Sequence, residues 1–170
     1  MLCYNQIMKN RIECDRLDIC PLSIEEMRRL QKDNQTTAVK SVLSEVIKSA
    51  IAHKIERMGK APIEAHPWLT YWLATEKTSG AGIGLIGTKS LPDLKGSVEI
   101  GYAIAREYRN CGYMTEALTG FLDWLYECPF CESATLAIRS ANAPSARVAE
   151  KCGFQFEGMR DIYKIYRYWL

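Results

Sequence analysis

A chain of 170 residues with 48% hydrophobic and 25% charged side chains has the composition of one soluble globular domain, residues 1–170, large enough to bury a core. With 22 Lys and Arg against 20 Asp and Glu the formal charge is +2, which argues against nucleic-acid binding by bulk electrostatics. No window holds eighteen apolar residues, and Lys9, Arg11, Glu13 and Asp15 interrupt the opening segment, so neither a membrane span nor a signal peptide is expected.

Arg16 to Leu22 reads as a short strand, and Ser23-Ile24-Glu25-Glu26 as a capping box that opens a helix burying Ile24, Met27 and Leu30. Val39, Val42, Leu43, Val46, Ile47, Ala50 and Ile51 form one stripe, with Lys40, Ser44, Glu45 and Lys48 opposite, and predict a second helix. Gly59 to Pro67 reads as a loop, with His66 a solvent-facing residue lacking an identifiable partner. Trp68 to Thr75 reads as an aromatic-rich strand and Ile83 to Thr88 as its hairpin partner across Lys77-Thr78-Ser79-Gly80. Trp68, Tyr71 and Trp72 suit core packing, with an acceptor pocket as the alternative.

The next stretch is the most informative. Val98, Ile100, Tyr102 and Ile104 alternate with Glu99, Gly101, Ala103 and Ala105, which predicts a strand with one bulky face and one nearly bare face carrying a single carboxylate. Small residues there leave room for a ligand beside the backbone. Arg109 and Gly112 then precede Met114, Ala117, Leu118, Phe121, Leu122 and Leu125, which fall at helical spacing. A helix start facing out of a basic, glycine-bearing loop suits a phosphate or pyrophosphate, through free N–H groups, the helix dipole and a guanidinium. The loop is neither the Gly-x-x-x-x-Gly-Lys-Ser/Thr of nucleoside triphosphate sites nor the Gly-x-Gly-x-x-Gly of dinucleotide sites.

After this helix (Thr115 to Glu127), Ser133 to Arg139 alternates as a strand, so strand, helix and strand make a parallel pair with a crossover. Pro144 and Ser145 open a short helix that Gly153 ends. Phe154 and Phe156 alternate in a strand, and Ile162 to Leu170 forms the last, with Tyr163, Tyr166, Tyr168 and Trp169. Seven cysteines cannot all pair within the chain, and Cys3, Cys14, Cys20, Cys111, Cys128, Cys131 and Cys152 are scattered, which favours reduced thiols in a cytoplasm. Cys128-Pro129-Phe130-Cys131 lacks the second pair of a zinc ribbon and closes a helix where a thioredoxin-like pair opens one, so no metal is expected.

Glu99-Ile100-Gly101-Tyr102, then Arg109-x-x-Gly112-x-Met114 with Thr115-Glu116-Ala117-Leu118, then Asn142-Ala143-Pro144-Ser145 and Lys151-Cys152-Gly153-Phe154, resemble in order the motifs of the GNAT N-acetyltransferases. The likeness is to the branch that includes the ribosomal-protein N-alpha-acetyltransferases, and Arg16-Leu17-Asp18-Ile19 with Pro21-Leu22 resembles that branch's opening strand. The resemblance implies an α+β fold: a mixed, mostly antiparallel sheet with a splayed central strand and helices on both faces. It also implies acetyl-CoA as cosubstrate, held by Ala103 and Ile104 of the strand, by Arg109, Asn110, Cys111, Gly112, Tyr113, Met114 and Thr115 of the loop, and by Asn142 and Ser145. The partner would be an amine acceptor, a small molecule or a protein N-terminus, and the protein a monomer or homodimer.

Such chemistry requires an ammonium to lose a proton before attack. Glu99 is the candidate base, directly or through water, with a surface ion pair as the competing account. A backbone N–H near Ala103 or Ile104 would stabilise the oxyanion. The family's usual tyrosine acid is replaced by Ala149, so Ser145 inherits protonation of the leaving thiolate by analogy, with helix capping as the rival role of Asn142 and Ser145. Met114 and Asn110 stand where the family has small residues, which keeps a second function open: an acetyl-CoA-binding sensor module without turnover.

Overall fold

The computed structural model describes residues 10–32 and 42–170, so Cys3, Lys9, Val39 and Lys40 lie outside the described residues. Strands β1 (Ile12–Glu13), β2 (Leu17–Pro21), β3 (Trp72–Glu76), β4 (Gly82–Thr88), β5 (Ser97–Ile104), β6 (Ser133–Arg139), β7 (Gln155–Arg160) and β8 (Tyr163–Trp169) form one sheet in the order β1-β2-β3-β4-β5-β6-β8-β7. Only β5 and β6 run parallel; every other neighbouring pair is antiparallel. This is the mixed, mostly antiparallel sheet the sequence implied.

The capping box forms: the Ser23 and Glu26 backbone N–H groups donate to each other's side chains at 2.8 and 3.2 Å, opening α1 (Ile24–Lys32) over a fully buried Met27. Helix α2 (Glu45–Met58) starts later than the apolar stripe suggests, because Ser44 caps it by accepting from Ile47 N–H. That start sets the phase of the helix, so Ile47, Ile51, Ile55 and Met58 face the sheet and Val46, expected on the stripe, is 74% exposed. A larger departure lies between Gly59 and Thr70. Here Ile63–Ala65 is a 3-10 turn and α3 (His66–Leu69) a short helix with Pro67 in its first turn, so Trp68 stands on a helix and not on β3. His66 is also no idle loop residue, since its Nε2 lies 3.0 Å from the Met58 carbonyl at the end of α2.

Two apolar clusters sandwich the sheet. On one face α4 (Tyr113–Tyr126) packs Phe121 and Trp124 on Trp72 and Trp68, with α5 (Ala143–Lys151) beside it. On the other face α1, α2 and α3 cover β3 to β5. Fully buried side chains of the size of Trp72, Phe121 and Leu118 contribute roughly 1.5–3 kcal/mol apiece, which is what makes the scaffold rigid around its polar features. In the last hairpin Phe154 is buried ahead of β7 while Phe156 is 55% exposed on it, because β7 is an edge strand. Cys128 and Cys131 are buried free thiols just past α4, and burial pushes Cys131 up to about 12 and Cys14 up to about 11, which keeps both protonated. No three His, Cys, Asp or Glu side chains among the described residues form a metal-binding group, and no described helix is long and apolar enough to cross a membrane.

Among the described residues Lys54 is the one lysine drawn into this core. Its ammonium donates to the carbonyls of Leu69, Thr70 and Thr88 at 3.3, 3.1 and 2.7 Å, joining α2 to the end of α3 and of β4, and it lies 4.7 Å from the Tyr71 ring centre. Burial, with a smaller push from Arg57, lowers its pKa from 10.5 to about 7, while the three acceptors favour the charged form. Between those two values the folded chain binds fewer protons than the unfolded chain, so folding stability rises with pH there. Urea unfolding of the wild type and Lys54→Met at pH 6, 8 and 10 should show the wild type gaining on the variant as pH rises, by no more than about 1.4 kcal/mol per pH unit. A constant difference would mean that the carbonyls hold the proton against burial.

Candidate active site

The site begins where the sheet comes apart. β5 pairs with β6 only at Ser97↔Ser133, Val98↔Ala134 and Glu99↔Thr135, while on its other edge it stays paired with β4 as far as Gly84↔Ile104. Lys89 N–H donates to the Glu99 carbonyl and Ala105 N–H to Ile83, so odd-numbered groups of β5 serve β4. Main-chain groups alternate along a strand, and therefore the N–H groups of Tyr102 and Ile104 face the gap. The splay is the one the sequence implied, and it aims two donors into open space.

A cavity of about 710 Å³ occupies the gap. Tyr102 and Ile104 line it from the α4/α5 side, and Ala103 with Val42, Ser44 and Ile47 from the α2 side, so the cavity passes through the sheet. At Gly101 a Cβ would meet nothing within 4 Å, which leaves the strand's bare face open between Glu99 and Ala103.

The loop after β5 forms the outer wall. Asn110 and Gly112 adopt left-handed backbone, with φ of 62° and 80°, a conformation glycine takes freely and asparagine tolerates, so Asn110 substitutes for glycine without losing the turn. Gly112 is the N-cap of α4 and makes no side-chain cap. The first helical bond is Glu116 N–H to the Gly112 carbonyl, so the N–H groups of Tyr113, Met114 and Thr115 have no intrahelical acceptor. Met114 is 5% exposed, and its methyl lies 3.3 Å from where a Cβ at Gly84 would stand, so most of the side chain is core.

Arg16 braces this loop from behind. Its Nε donates to Glu116 at 2.7 Å, its Nη1 to the Cys111 carbonyl at 3.0 Å, and its guanidinium lies 4.3 Å from the Tyr113 ring centre. Glu116 also accepts from the Arg16 backbone N–H at 2.7 Å. Its carboxylate thus sits beside the positive end of the α4 dipole while holding β2's approach to the helix.

Across the cavity stands α5. Asn142 caps it, accepting from Ser145 N–H at 3.2 Å, and the half-buried Tyr102 hydroxyl donates to the Ser145 carbonyl at 3.0 Å, tying the free edge of β5 to the helix start. Desolvation raises the Tyr102 pKa and keeps the phenol neutral. Arg147 and Lys151, four residues apart on α5, line the cavity together with Arg109. None of the three has an ion-pair partner among the described residues, and no Asp or Glu among them lines the cavity.

The structure thus gathers Ala103, Ile104, Arg109, Asn110, Gly112, Tyr113, Met114, Thr115, Asn142 and Ser145 around one cavity. Cys111 is not in its wall and offers its carbonyl to Arg16. Glu99 is not in the wall either. Its carboxylate lies on the bare face of β5, 2.5 Å from Lys89 Nζ and 3.8 Å from an Arg160 nitrogen, at the last paired position before the gap. Sequence reasoning missed Arg147, Lys151 and Tyr108 of the wall; the i, i+4 spacing of two cations on a predicted helix was the available signal for the first two.

A mixed sheet parted at its single parallel pair, with a donor-lined loop at the parting, defines the architecture of an N-acetyltransferase. Residues 16–155 match the family model described as the acetyltransferase (GNAT) domain, and the chain belongs to that family. An uncharacterized N-acetyltransferase, YjdG of Bacillus subtilis (strain 168), is 28% identical over 97 residues, which are 57% of this chain and 58% of that relative, so the match spans less than two thirds of its length. Among solved structures, the RimL ribosomal L7/L12 alpha-N-protein acetyltransferase in complex with coenzyme A superposes with a TM-score of 0.71 at 13% identity, over 94% of this chain and 98% of that one. The ribosomal-protein-S5-alanine acetyltransferase of Vibrio fischeri gives 0.66 at 16% identity over 95% and 97%. A spermidine N-acetyltransferase chimera from Vibrio cholerae and hSSAT gives 0.65 at 18% over 90% and 93%. At these identities the likeness is one of fold.

Removing the brace tests whether the loop is held in place from β2. Arg16→Ala should accelerate amide hydrogen exchange in the peptide spanning Arg109 to Thr115 several-fold, with little change in Tm because Arg16 is at the surface. Unchanged exchange there would show that the loop keeps its shape unaided.

Proposed function

We propose that this protein, acting as one domain, transfers the acetyl group of acetyl-CoA to a primary amine by direct attack in a ternary complex. The observation that carries the reading is the cavity through the sheet, whose described lining presents main-chain donors and three cations and no carboxylate. That wall suits a polyanionic, elongated cosubstrate whose diphosphate lies on the N–H groups of Tyr113 to Thr115, backed by Arg109, with Arg147 and Lys151 opposite. The thioester would lie in the gap, its carbonyl oxygen facing the N–H of Ile104 or Tyr102, which are aimed there before any charge develops.

Glu99 acts from the acceptor side. Its carboxylate takes a proton from the incoming ammonium along the open face above Gly101, through water, since the four residues from Glu99 to Ala103 span roughly 13 Å of strand. The nitrogen lone pair then attacks the thioester carbon, the C–S bond breaks, and the Ser145 hydroxyl gives its proton to the thiolate while taking up the one that the new amide nitrogen loses. Asn142 serves the pantetheine arm through the amide nitrogen that capping leaves unused.

Calorimetry with acetyl-CoA should register binding, and Arg147→Ala with Lys151→Ala should weaken it by about tenfold or more, with a shallower salt dependence than the wild type. Glu99→Gln should lower kcat by roughly 10²-fold or more and leave acetyl-CoA affinity unchanged, because Glu99 is outside the cavity wall. Absence of acetyl-CoA binding overturns the proposal. Binding without thiol release across a panel of amines would leave the sensor module as the function.

A further inference from the structure

Resting on the acetyl-transfer reading, we propose that the donor is a class wider than acetyl-CoA: short, straight, apolar acyl-CoA thioesters such as propionyl- and butyryl-CoA, whose chain lies on the α2 side of the sheet with Ile47 setting its length. The cavity has two sides of unlike chemistry. Its cations belong to α5 and to the loop after β5, as Arg147, Lys151 and Arg109. The α2 side is lined by Val42, Ile47 and Ala103, with the exposed Ser44 adding a hydroxyl. Val42 is buried, and Ile47 and Ala103 pack against the same apolar cluster as Leu85, which stands opposite Ala103 on β4. No basic residue of α2 belongs to this lining: Lys48 pairs with Glu45, Lys54 is held by three carbonyls, and Arg57 donates to the Lys89 carbonyl.

The direction of the chain follows from the thioester itself, because three substituents diverge from its trigonal carbon. With the oxygen on the Tyr102 or Ile104 N–H in the gap and the sulfur toward the coenzyme side, the third substituent points through the sheet to the α2 side. An acetyl methyl fills only the start of that space. A longer chain continues past Ala103, which carries only a methyl there, so Ile47 and Val42 are the larger side chains that bound it. The acceptor keeps its own path. It approaches over Gly101, where a Cβ would meet nothing within 4 Å, two residues along β5 from Ala103. Those two residues span roughly 7 Å, more than the about 4 Å at which carbon atoms touch. The bonds made and broken are those of acetyl transfer: the acceptor nitrogen bonds the acyl carbon and the C–S bond breaks. One ammonium proton leaves through Glu99 and the other passes by Ser145 to the departing thiolate. Each methylene fully buried on the α2 side should tighten binding by about fourfold. A carboxylate at the chain end, as in succinyl, would be desolvated there without a cation.

The test measures, on the full chain, the calorimetric Kd of acetyl-, propionyl-, butyryl-, hexanoyl- and succinyl-CoA, and thiol release from each with pooled primary amines. Butyryl-CoA should bind at least about fourfold tighter than acetyl-CoA, and succinyl-CoA no tighter than acetyl-CoA. Thiol release from propionyl- and butyryl-CoA should stay within about tenfold of that from acetyl-CoA. Ile47→Ala should move the tightest-binding chain from butyryl toward hexanoyl, and Ile47→Phe should lower the butyryl-to-acetyl affinity ratio by about tenfold. Both are ratios within one variant, so a general loss of affinity does not imitate them. Tightest binding by acetyl-CoA, tighter binding of succinyl- than of butyryl-CoA, release from acetyl-CoA alone, or a chain-length order that neither Ile47 variant moves overturns this inference and leaves the acetyl-transfer reading standing. Failure of every thioester to bind fails the underlying reading instead.

Discussion

The separation of β5 from β6 after Glu99↔Thr135 is the constraint on which the rest of the molecule depends. A strand interior with one edge unpaired is costly when buried, because each orphaned main-chain group forfeits a hydrogen bond. Here the cost is contained in three ways. β4 holds the other edge of β5 from Ile100 to Ile104. The Tyr102 hydroxyl reaches across to the Ser145 carbonyl. The cavity admits solvent, or a ligand with acceptors of its own, to the groups that remain. The close approach of β4 and β5 also requires a glycine, since a Cβ at Gly84 would stand 2.9 Å from the Ala103 carbonyl oxygen. Gly84 therefore presses β5 against β4, and β5 is not available to follow β6.

Two elements far apart in sequence keep the parted strands useful. Arg16, ahead of β2, fixes the loop between β5 and α4 through Glu116 and Cys111, so a segment 100 residues upstream determines where the free N–H groups of Tyr113 to Thr115 point. Lys54 joins α2 to the ends of α3 and β4 and so fixes the helix that carries Ile47 into the cavity wall. One contact sits at the surface with both partners charged; the other is a buried ammonium satisfied by carbonyls alone. Precision at the site thus comes from polar contacts set into an apolar sandwich, since dispersion packing by itself does not choose a single backbone position for a loop.

Local signals were legible and their limits were physical. The capping box at Ser23, strand β6 and the helix opened at Pro144 depend on neighbouring residues only, and each stands within a residue or two of its expected place. The Glu99 to Ala105 alternation was readable because β5 has one packed face and one bare one. Trp68 was misplaced because aromatic residues favour strands and helix surfaces facing a core equally well, and the Pro67 that begins α3 reads from sequence as a loop marker. Val46 was misplaced because the phase of α2 follows from the Ser44 cap. Arg147 escaped notice, and Lys151 was read only as part of its motif, because basic residues on a short helix look like solvated surface until a second wall stands opposite them.

Capping and chemistry at Asn142 and Ser145 looked like rival accounts, and the hydrogen bonds show that they are compatible. The cap uses the Asn142 side-chain oxygen and the Ser145 backbone N–H, and the strut from Tyr102 uses the Ser145 carbonyl. The Asn142 amide nitrogen and the Ser145 hydroxyl make no bond to other described residues. The main-chain groups of Asn142 and Ser145 are thereby occupied, and both residues line the cavity with a side-chain donor to spare. Where the family usually has a tyrosine, the fully buried Ala149 packs into the α4/α5 core, and Tyr102 and Ser145 are two of the hydroxyl-bearing residues that line the cavity, with Ser44, Tyr108, Tyr113 and Thr115. The Tyr102 phenol is already committed as a donor and its desolvation opposes ionisation, which is consistent with the role proposed for Ser145.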